Sequence, residues 1–477
     1  MRPEEVLLLA AGLAVVISLL YYGNTRNRLT RTLSALSIVV LVVHFWRLRL
    51  YWQISAAYLA VILLGIMLIT ARKWSSSRIR SIAALLLIPL GFSTAALIVL
   101  PFFELPPPTG PLFVGTRIVH MVDEARADDS FPSGKRELMI QIWYPSAVNR
   151  GVRAPYRRLS ETTLLSSYDA VLKTHSLLNA PILRESHPYP VILFNPAWEG
   201  QRTQNTFQME DLASHGFVVV AIDHTHNSTP VAFPDGKIVR RSEPREIDDF
   251  SGPLEKQIAF GEQETITEAK DDIAVLNQLA AWSSSPGNIW YGLLDTNHTG
   301  AFGHSFGGSV AIEACFRDPR IRSALNIDGW MFGKIYREPL NKPLMMMYDS
   351  GWPFIQSDVE KERLSTYEGN RLDINDLNNL MRSFHDSGGY LLGIQDTKHM
   401  NFADRSLYSP FHNLTDSGTL NPKLVHSIIN RYTLAFFSHT LRGTTEPLLN
   451  QTSPFPETYF RAYPDPRIQH SNNESNK

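Results

Sequence analysis

The chain predicts an α/β fold, a mostly parallel sheet with helices on both faces, preceded by an all-α transmembrane region. Three observations carry this reading. Four long apolar stretches without Asp, Glu, Lys or Arg fill the first 103 positions. Beyond them, short continuous apolar runs alternate with helical patterns, as they do in parallel sheets covered on both faces. Residues 303–307 read Gly-His-Ser-Phe-Gly, a strand-to-helix turn with a serine at its apex.

The apolar stretches come first in the chain. They cover residues 6–23, 32–46, 52–71 and 81–103, and a membrane-spanning helix needs about 20 apolar residues. The second stretch is short, but Arg47 and Arg49 can snorkel while Leu48, Leu50 and Tyr51 extend it. A signal peptide would account for 6–23 alone and leave three spans unexplained. The competing reading of 32–46, an interfacial or core helix, would change the topology. Basic residues set the orientation. Arg26, Arg28, Arg31, Arg72, Lys73, Arg78 and Arg80 flank one side, against Arg2, Arg47 and Arg49 on the other. Short basic loops stay cytoplasmic, so with four spans everything after Phe103 is expected outside the cytoplasm.

Residues 104–114 contain Leu-Pro-Pro-Pro-Thr-Gly-Pro, a stiff linker. The catalytic domain is expected over 115–449. It opens with alternating segments 116–122 and 137–144, read as an antiparallel hairpin at a sheet edge. Strands follow at 191–194, 217–222, 299–304, 323–327, 343–348 and 390–394, with helices at 203–214, 263–282 and 424–441. Residues 225–260, which include Asp248, Asp249 and Phe250, read as loop or cap, and 450–477 as a loosely ordered polar tail. Net charge is −1, which gives no reason to expect a nucleic-acid partner. Cys315 is the only cysteine, so neither an intrachain disulfide nor a cysteine metal cluster can form. With no H-E-x-x-H, dinucleotide or P-loop motif, no metal or organic cofactor is expected.

The chemistry centres on Ser305. The pentapeptide fits the G-x-S-x-G nucleophile elbow, and with alternating strands and helices it makes the α/β-hydrolase pattern. A serine hydroxyl is a weak nucleophile until a base takes its proton. His399 follows the last parallel strand and suits that role, with His385 and His412 as rivals. Two aspartates compete to orient it: Asp328, after the strand that follows the elbow helix, and Asp349, after the next one. Both stand at carboxyl ends of parallel strands, where sites assemble in open α/β sheets.

Residues 211–224 (Asp-Leu-Ala-Ser-His-Gly-Phe-Val-Val-Val-Ala-Ile-Asp-His), the elbow, Asp328-Gly-Trp-Met-Phe332 and His399-Met-Asn-Phe-Ala-Asp404 together resemble the platelet-activating-factor acetylhydrolases. The resemblance covers roughly 115–442 and leaves the membrane region out. It implies a Ser305, Asp328, His399 triad. It also implies hydrolysis of the short or oxidised sn-2 acyl ester of a phospholipid, which the four apolar stretches would place at a membrane. One oxyanion donor should be the N–H of Phe306. The other falls by resemblance on Trp198, with Ala197 next, in a loop where the family has a His-Gly pair and this chain has Asn195-Pro-Ala-Trp-Glu-Gly200. The rivals are a broad carboxylesterase or polyester hydrolase, a peptidase of the same fold, and a non-catalytic receptor or scaffold.

Overall fold

Long apolar runs with nothing to interrupt them fold as helices, and the amino-terminal region does so four times. The computed structural model describes residues 1–48, 50–240, 254–350, 382–384 and 387–463. Helices α1 (Pro3–Tyr22), α2 (Arg28–Leu48) and α3 (Trp52–Thr70) are each continuous. The fourth stretch divides into α4 (Ser76–Leu85) and α5 (Leu87–Val99). The break has a local cause: Pro89 has no N–H to donate to the carbonyl four residues back, at Leu85. All four segments are long and apolar enough to cross a membrane, with α4 and α5 counted together as Ser76–Val99. The short second stretch gains length from its flanks: 21 residues rise about 31 Å. Buried polar groups pair between helices. The Tyr51 hydroxyl donates to Glu5 at 2.8 Å, and His44 meets Tyr58 at 2.7 Å. Arg49 lies outside the described residues.

Two compact units emerge, and their boundary corrects the sequence reading. The helical unit also contains Pro155–Lys173 and Leu407–Phe411, while the chain from Leu105 to Ala154 belongs to the second unit. Aromatic packing explains the first point: Tyr408 stacks on Phe103 at 4.7 Å, and Tyr156 meets Phe103 edge-on at 5.4 Å. Hydrogen bonding explains the second. The end of the linker is docked, because Thr109 N–H donates to Asp211 and Gly110 N–H to Ser214.

The second unit is built on one 11-stranded sheet. Its strands are β1 (Phe113–Ala127), β2 (Lys135–Ser146), β3 (Arg153–Pro155), β4 (Lys173–Leu178), β5 (Tyr189–Asn195) and β6 (Val218–Asp223), then β9 (Leu294–His304), β10 (Ile321–Ile327), β11 (Leu344–Tyr348), β12 (Gly389–Ile394) and β13 (Thr458–Tyr463). A separate two-stranded ribbon holds β7 (Val231–Ala232) and β8 (Ile238–Val239). The order is β13-β12-β11-β10-β9-β5-β6-β2-β1-β4-β3. The six central strands from β12 to β6 run parallel; β13 is antiparallel to β12 and β2 to both β6 and β1, while β1 and β4 pair in parallel. Helices α6 (Thr206–Ser214), α7 (Leu254–Ser284), α8 (Phe306–Arg317) and α9 (Pro422–Arg442) accompany it. This is the α/β-hydrolase fold.

The predicted parallel strands all form, with ends moved by a residue or a few. Two expectations are overturned. The β1–β2 hairpin is not the sheet edge: β1 also pairs with β4, whose short, mixed sequence carries no strand pattern of its own. The stretch after 450 is not all tail either, because β13 closes the other edge. Its aromatics anchor it: Phe460 stacks on Tyr390, and Tyr463 stacks on Phe384. In the predicted cap, β7 and β8 form and α7 begins by Leu254, while residues 241–253, including Asp248, Asp249 and Phe250, lie outside the described residues.

Candidate active site

The elbow forms where β9 gives way to α8, and Ser305 stands between them with φ 56° and ψ −127°. A non-glycine residue rarely holds a positive φ, and such strain concentrates at functional sites. Its N–H donates to the Ile327 carbonyl at 2.8 Å, tying the turn to β10. Two glycines make the turn possible. A Cβ on Gly303 would lie 2.0 Å from the Gly307 carbonyl oxygen, and one on Gly307 would lie 2.1 Å from that of Asn195. Strand β9, helix α8 and the end of β5 therefore meet backbone to backbone, which only glycine permits. Phe306 opens α8, so its N–H is among the first-turn donors that an intrahelical bond does not satisfy.

The structure brings Asp328 and His399 together. Asp328 follows β10, itself at a positive φ of 54°, and its Oδ2 lies 2.6 Å from His399 Nδ1. Its other oxygen, Oδ1, accepts the backbone N–H of Asp349 at 2.9 Å, and its own N–H donates to Met347. The rival aspartate thus holds the first one through its main chain. Burial alone would depress the His399 imidazole. The Asp328 hydrogen bond and charge, aided by Asp349 and Asp416, carry it above the ordinary histidine value. His399 opens a short 3₁₀ turn, His399–Phe402, in which the side-chain Oδ1 of Asn401 accepts from Lys398 and Gly418 N–H. Of its rivals, His412 opens a separate short helix, His412–Thr415, and His385 lies outside the described residues.

The loop after β5 runs past the elbow. Its Ala197 N–H donates to Gln204 Oε1 at 2.9 Å, and its Glu199 N–H donates to Asn227 at 2.9 Å. The Trp198 ring packs edge-on against Phe260 and Phe306, each 5.2 Å between centroids. Asn195, the last residue of β5, is fixed from beneath by a buried charge cluster. Its Oδ1 lies 2.9 Å from His224 Nε2, and its Nδ2 donates to Asp272 at 3.0 Å. His224 Nδ1 meets Asp271, which also pairs with Arg136 and Arg126. Burial pushes Glu268 and Asp272 each up to about 7. Burial would also raise Asp271, but Arg136 overrides it and holds that carboxyl far below its usual range. Among the described residues, no cluster of three or more His, Cys, Asp or Glu is arranged to hold a metal ion.

Sequence reasoning missed three further residues. Asn326, on β10, accepts Gly329 N–H and donates to its carbonyl, shaping the turn that presents Asp328. Gln204 and His304 bridge the loops around the elbow. His304 had a signal, as residue i−1 of the serine. A bond between positions 100 apart leaves none.

A strained serine at a strand-helix turn and an Asp–His pair thus lie at the carboxyl ends of the parallel strands of an α/β-hydrolase fold. The chain belongs to the platelet-activating factor acetylhydrolase, isoform II family, whose model matches residues 103–251 and 254–447. It is 27% identical over 253 residues to a probable 1-alkyl-2-acetylglycerophosphocholine esterase of Arthroderma benhamiae, covering 48% of this chain and 60% of that protein. It is 25% identical over 312 residues to platelet-activating factor acetylhydrolase of Gallus gallus, covering 60% of this chain and 69% of the other. Among solved structures, a ferulic acid esterase from Streptomyces cinnamoneus superposes with a TM-score of 0.58 at 29% identity, over 75% of this chain and 99% of that one.

Proposed function

We propose that the protein is a membrane-anchored serine esterase that removes the short or oxidised sn-2 acyl group of phospholipids, as a 1-alkyl-2-acetylglycerophosphocholine esterase does. The observation that carries the reading is the 2.6 Å Asp328–His399 bond beside the Ser305 elbow. Ser305 Oγ attacks the ester carbonyl while His399 Nε2 takes its proton. Asp328 keeps the other imidazole proton on Nδ1 and stabilises the imidazolium. The N–H groups of Phe306 and Trp198 receive the tetrahedral oxyanion. Collapse breaks the ester bond, and His399 returns the proton to the departing lysophospholipid alcohol. A water activated by His399 then releases the acid from acyl-Ser305.

Membership of the family supports this reaction, and the four apolar helices support anchoring. By the basic-residue rule the catalytic unit faces outside the cytoplasm. The test is turnover of 1-alkyl-2-acetylglycerophosphocholine and longer-chain homologues in micelles, against a series of p-nitrophenyl esters. The expected result is highest kcat/KM for the short sn-2 chain on the phospholipid. The structural neighbour's name favours a second reading, a broader carboxylesterase. Equal turnover of feruloyl and p-nitrophenyl esters, without phospholipid preference, would select it.

A further inference from the structure

Three backbone segments converge on Ser305: the loop after β5, the elbow itself and the turn that carries His399. One side-chain pair joins all three. Gln204 precedes α6, and its carbonyl accepts the N–H of Asp404, from the segment after His399. Its side-chain Oε1 accepts Ala197 N–H at 2.9 Å, while its Nε2 lies 2.7 Å from His304 Nδ1. His304 ends β9, directly before Ser305, and is fully buried. Its Nε2 lies 3.1 Å from the backbone carbonyl oxygen of His399, and the two imidazole rings are 4.5 Å apart.

The direction of every bond in this chain follows from its ends. A carbonyl oxygen only accepts, so His304 Nε2 carries the proton. Burial, with His399 close by, holds His304 well below the ordinary histidine value, so the ring is neutral and Nδ1 is bare. A bare Nδ1 accepts from the Gln204 amide, which turns Oε1 toward Ala197 N–H. Ala197 thus donates to Gln204, Gln204 to His304, and His304 to His399. Aligned hydrogen bonds in a low-dielectric interior polarise one another and fix a single geometry. An amide flip would break two bonds at once.

We propose that Gln204 and His304 are positioning residues for ester hydrolysis, which set the oxyanion loop at Ala197–Trp198 and the His399 turn at fixed distances from Ser305. The proposal rests on the roles given above to Ser305, His399 and Trp198. Neither side chain touches the reacting atoms. A misplacement of about 1 Å at a reacting group costs roughly 10²-fold in rate, and an interaction felt only in the transition state lowers kcat without raising KM.

The full-length chain in detergent supplies the test, with Gln204→Met and Gln204→Glu as variants. Methionine keeps the volume and loses both bonds. Glutamate keeps the acceptor for Ala197 and has no proton to give a neutral His304. Two quantities are read: steady-state kcat and KM on p-nitrophenyl acetate, and the rate constant for inactivation by a fluorophosphonate, in which Ser305 attacks phosphorus and expels fluoride, so that it reports nucleophilic attack by Ser305 alone. The expected result is a fall of about 10–100-fold in kcat and in the inactivation rate, with KM within about threefold of wild type. Melting temperatures checked in parallel separate this from loss of fold, and if the methionine variant does not fold the glutamate variant carries the measurement. A folded variant with wild-type inactivation rate overturns the positioning role. A wild-type chain that fails to react with the fluorophosphonate refutes the esterase reading instead.

Discussion

Replacing Asp328 by Asn tests the arrangement around His399 most directly. In wild type, Oδ1 accepts the Asp349 N–H at 2.9 Å and Oδ2 faces His399 Nδ1 at 2.6 Å. An asparagine that keeps its oxygen on the Asp349 N–H must aim its NH₂ at Nδ1. That bond requires a bare Nδ1 and moves the imidazole proton to Nε2, the nitrogen that must receive the Ser305 proton. Flipping the amide instead sets two donors against each other and orphans a half-buried N–H, at about 1–3 kcal/mol. Losing the charge-assisted bond to the imidazolium adds about 1.5–3 kcal/mol. At roughly 1.4 kcal/mol per decade, the sum is a loss of about 10²–10⁴ in kcat. A second readout has a definite sign. His399 acts when neutral, so activity falls as the pH drops through its pKa. Asp328 raises that pKa against burial, so the variant's acidic limb should move to lower pH. Asp349→Asn keeps the backbone N–H and should stay within about tenfold, with a smaller shift of the same sign. The assay is kcat/KM on p-nitrophenyl acetate from about pH 5 to 9. An active Asp328→Asn beside an inactive Asp349→Asn would refute the reasoning and give the acid's role to the end of β11.

Ser305→Ala and His399→Ala should each cut turnover by on the order of 10⁴–10⁶, and the double variant little more; losses that multiply would mean the two do not act together. The buried pair Glu268 and Asp272 binds protons in the folded state up to about pH 7. The unfolded chain has released them above about pH 4.5. Stability from these groups is therefore greatest at low pH and is lost as pH rises toward 7. The raised histidine His224 acts in the same direction. Glu268→Gln should flatten the fall in melting temperature between about pH 5 and 8 by on the order of 2–3 kcal/mol of stability, and parallel curves would dismiss the assignment. Topology is testable because the one native thiol, Cys315, is buried. A membrane-impermeant maleimide should label a cysteine introduced within residues 472–477 on intact cells. Labelling only after permeabilisation would place the catalytic unit inside.

The long apolar helices and parallel strands were legible because each is a local pattern. An apolar run of span length has few alternatives, and a strand buried on both faces reads as a continuous apolar run, as in Val218-Val-Val-Ala-Ile222. Strand β4 and strand β13 were not legible, since each takes its pairing from a neighbour far away in sequence. The unit boundary escaped for the same reason: Tyr156 and Tyr408 join the helical unit through Phe103 and carry no local mark of it.

The sequence by itself determined Ser305. Glycines two positions either side leave one backbone path for the chain, and the residue at its apex follows. It also supplied two aspartates at strand ends and a histidine after the last parallel strand, without choosing between the aspartates except by family likeness. Tertiary structure decided which carboxylate turns its Oδ2 to His399 and which contributes only a backbone N–H. It also decided that Gln204 and His304 hold the loops around the serine. The physical reason is that a turn is a property of consecutive dihedral angles. A hydrogen bond between residues 71 or 100 positions apart exists only once the sheet has brought the ends of β5, β9, β10 and β12 together.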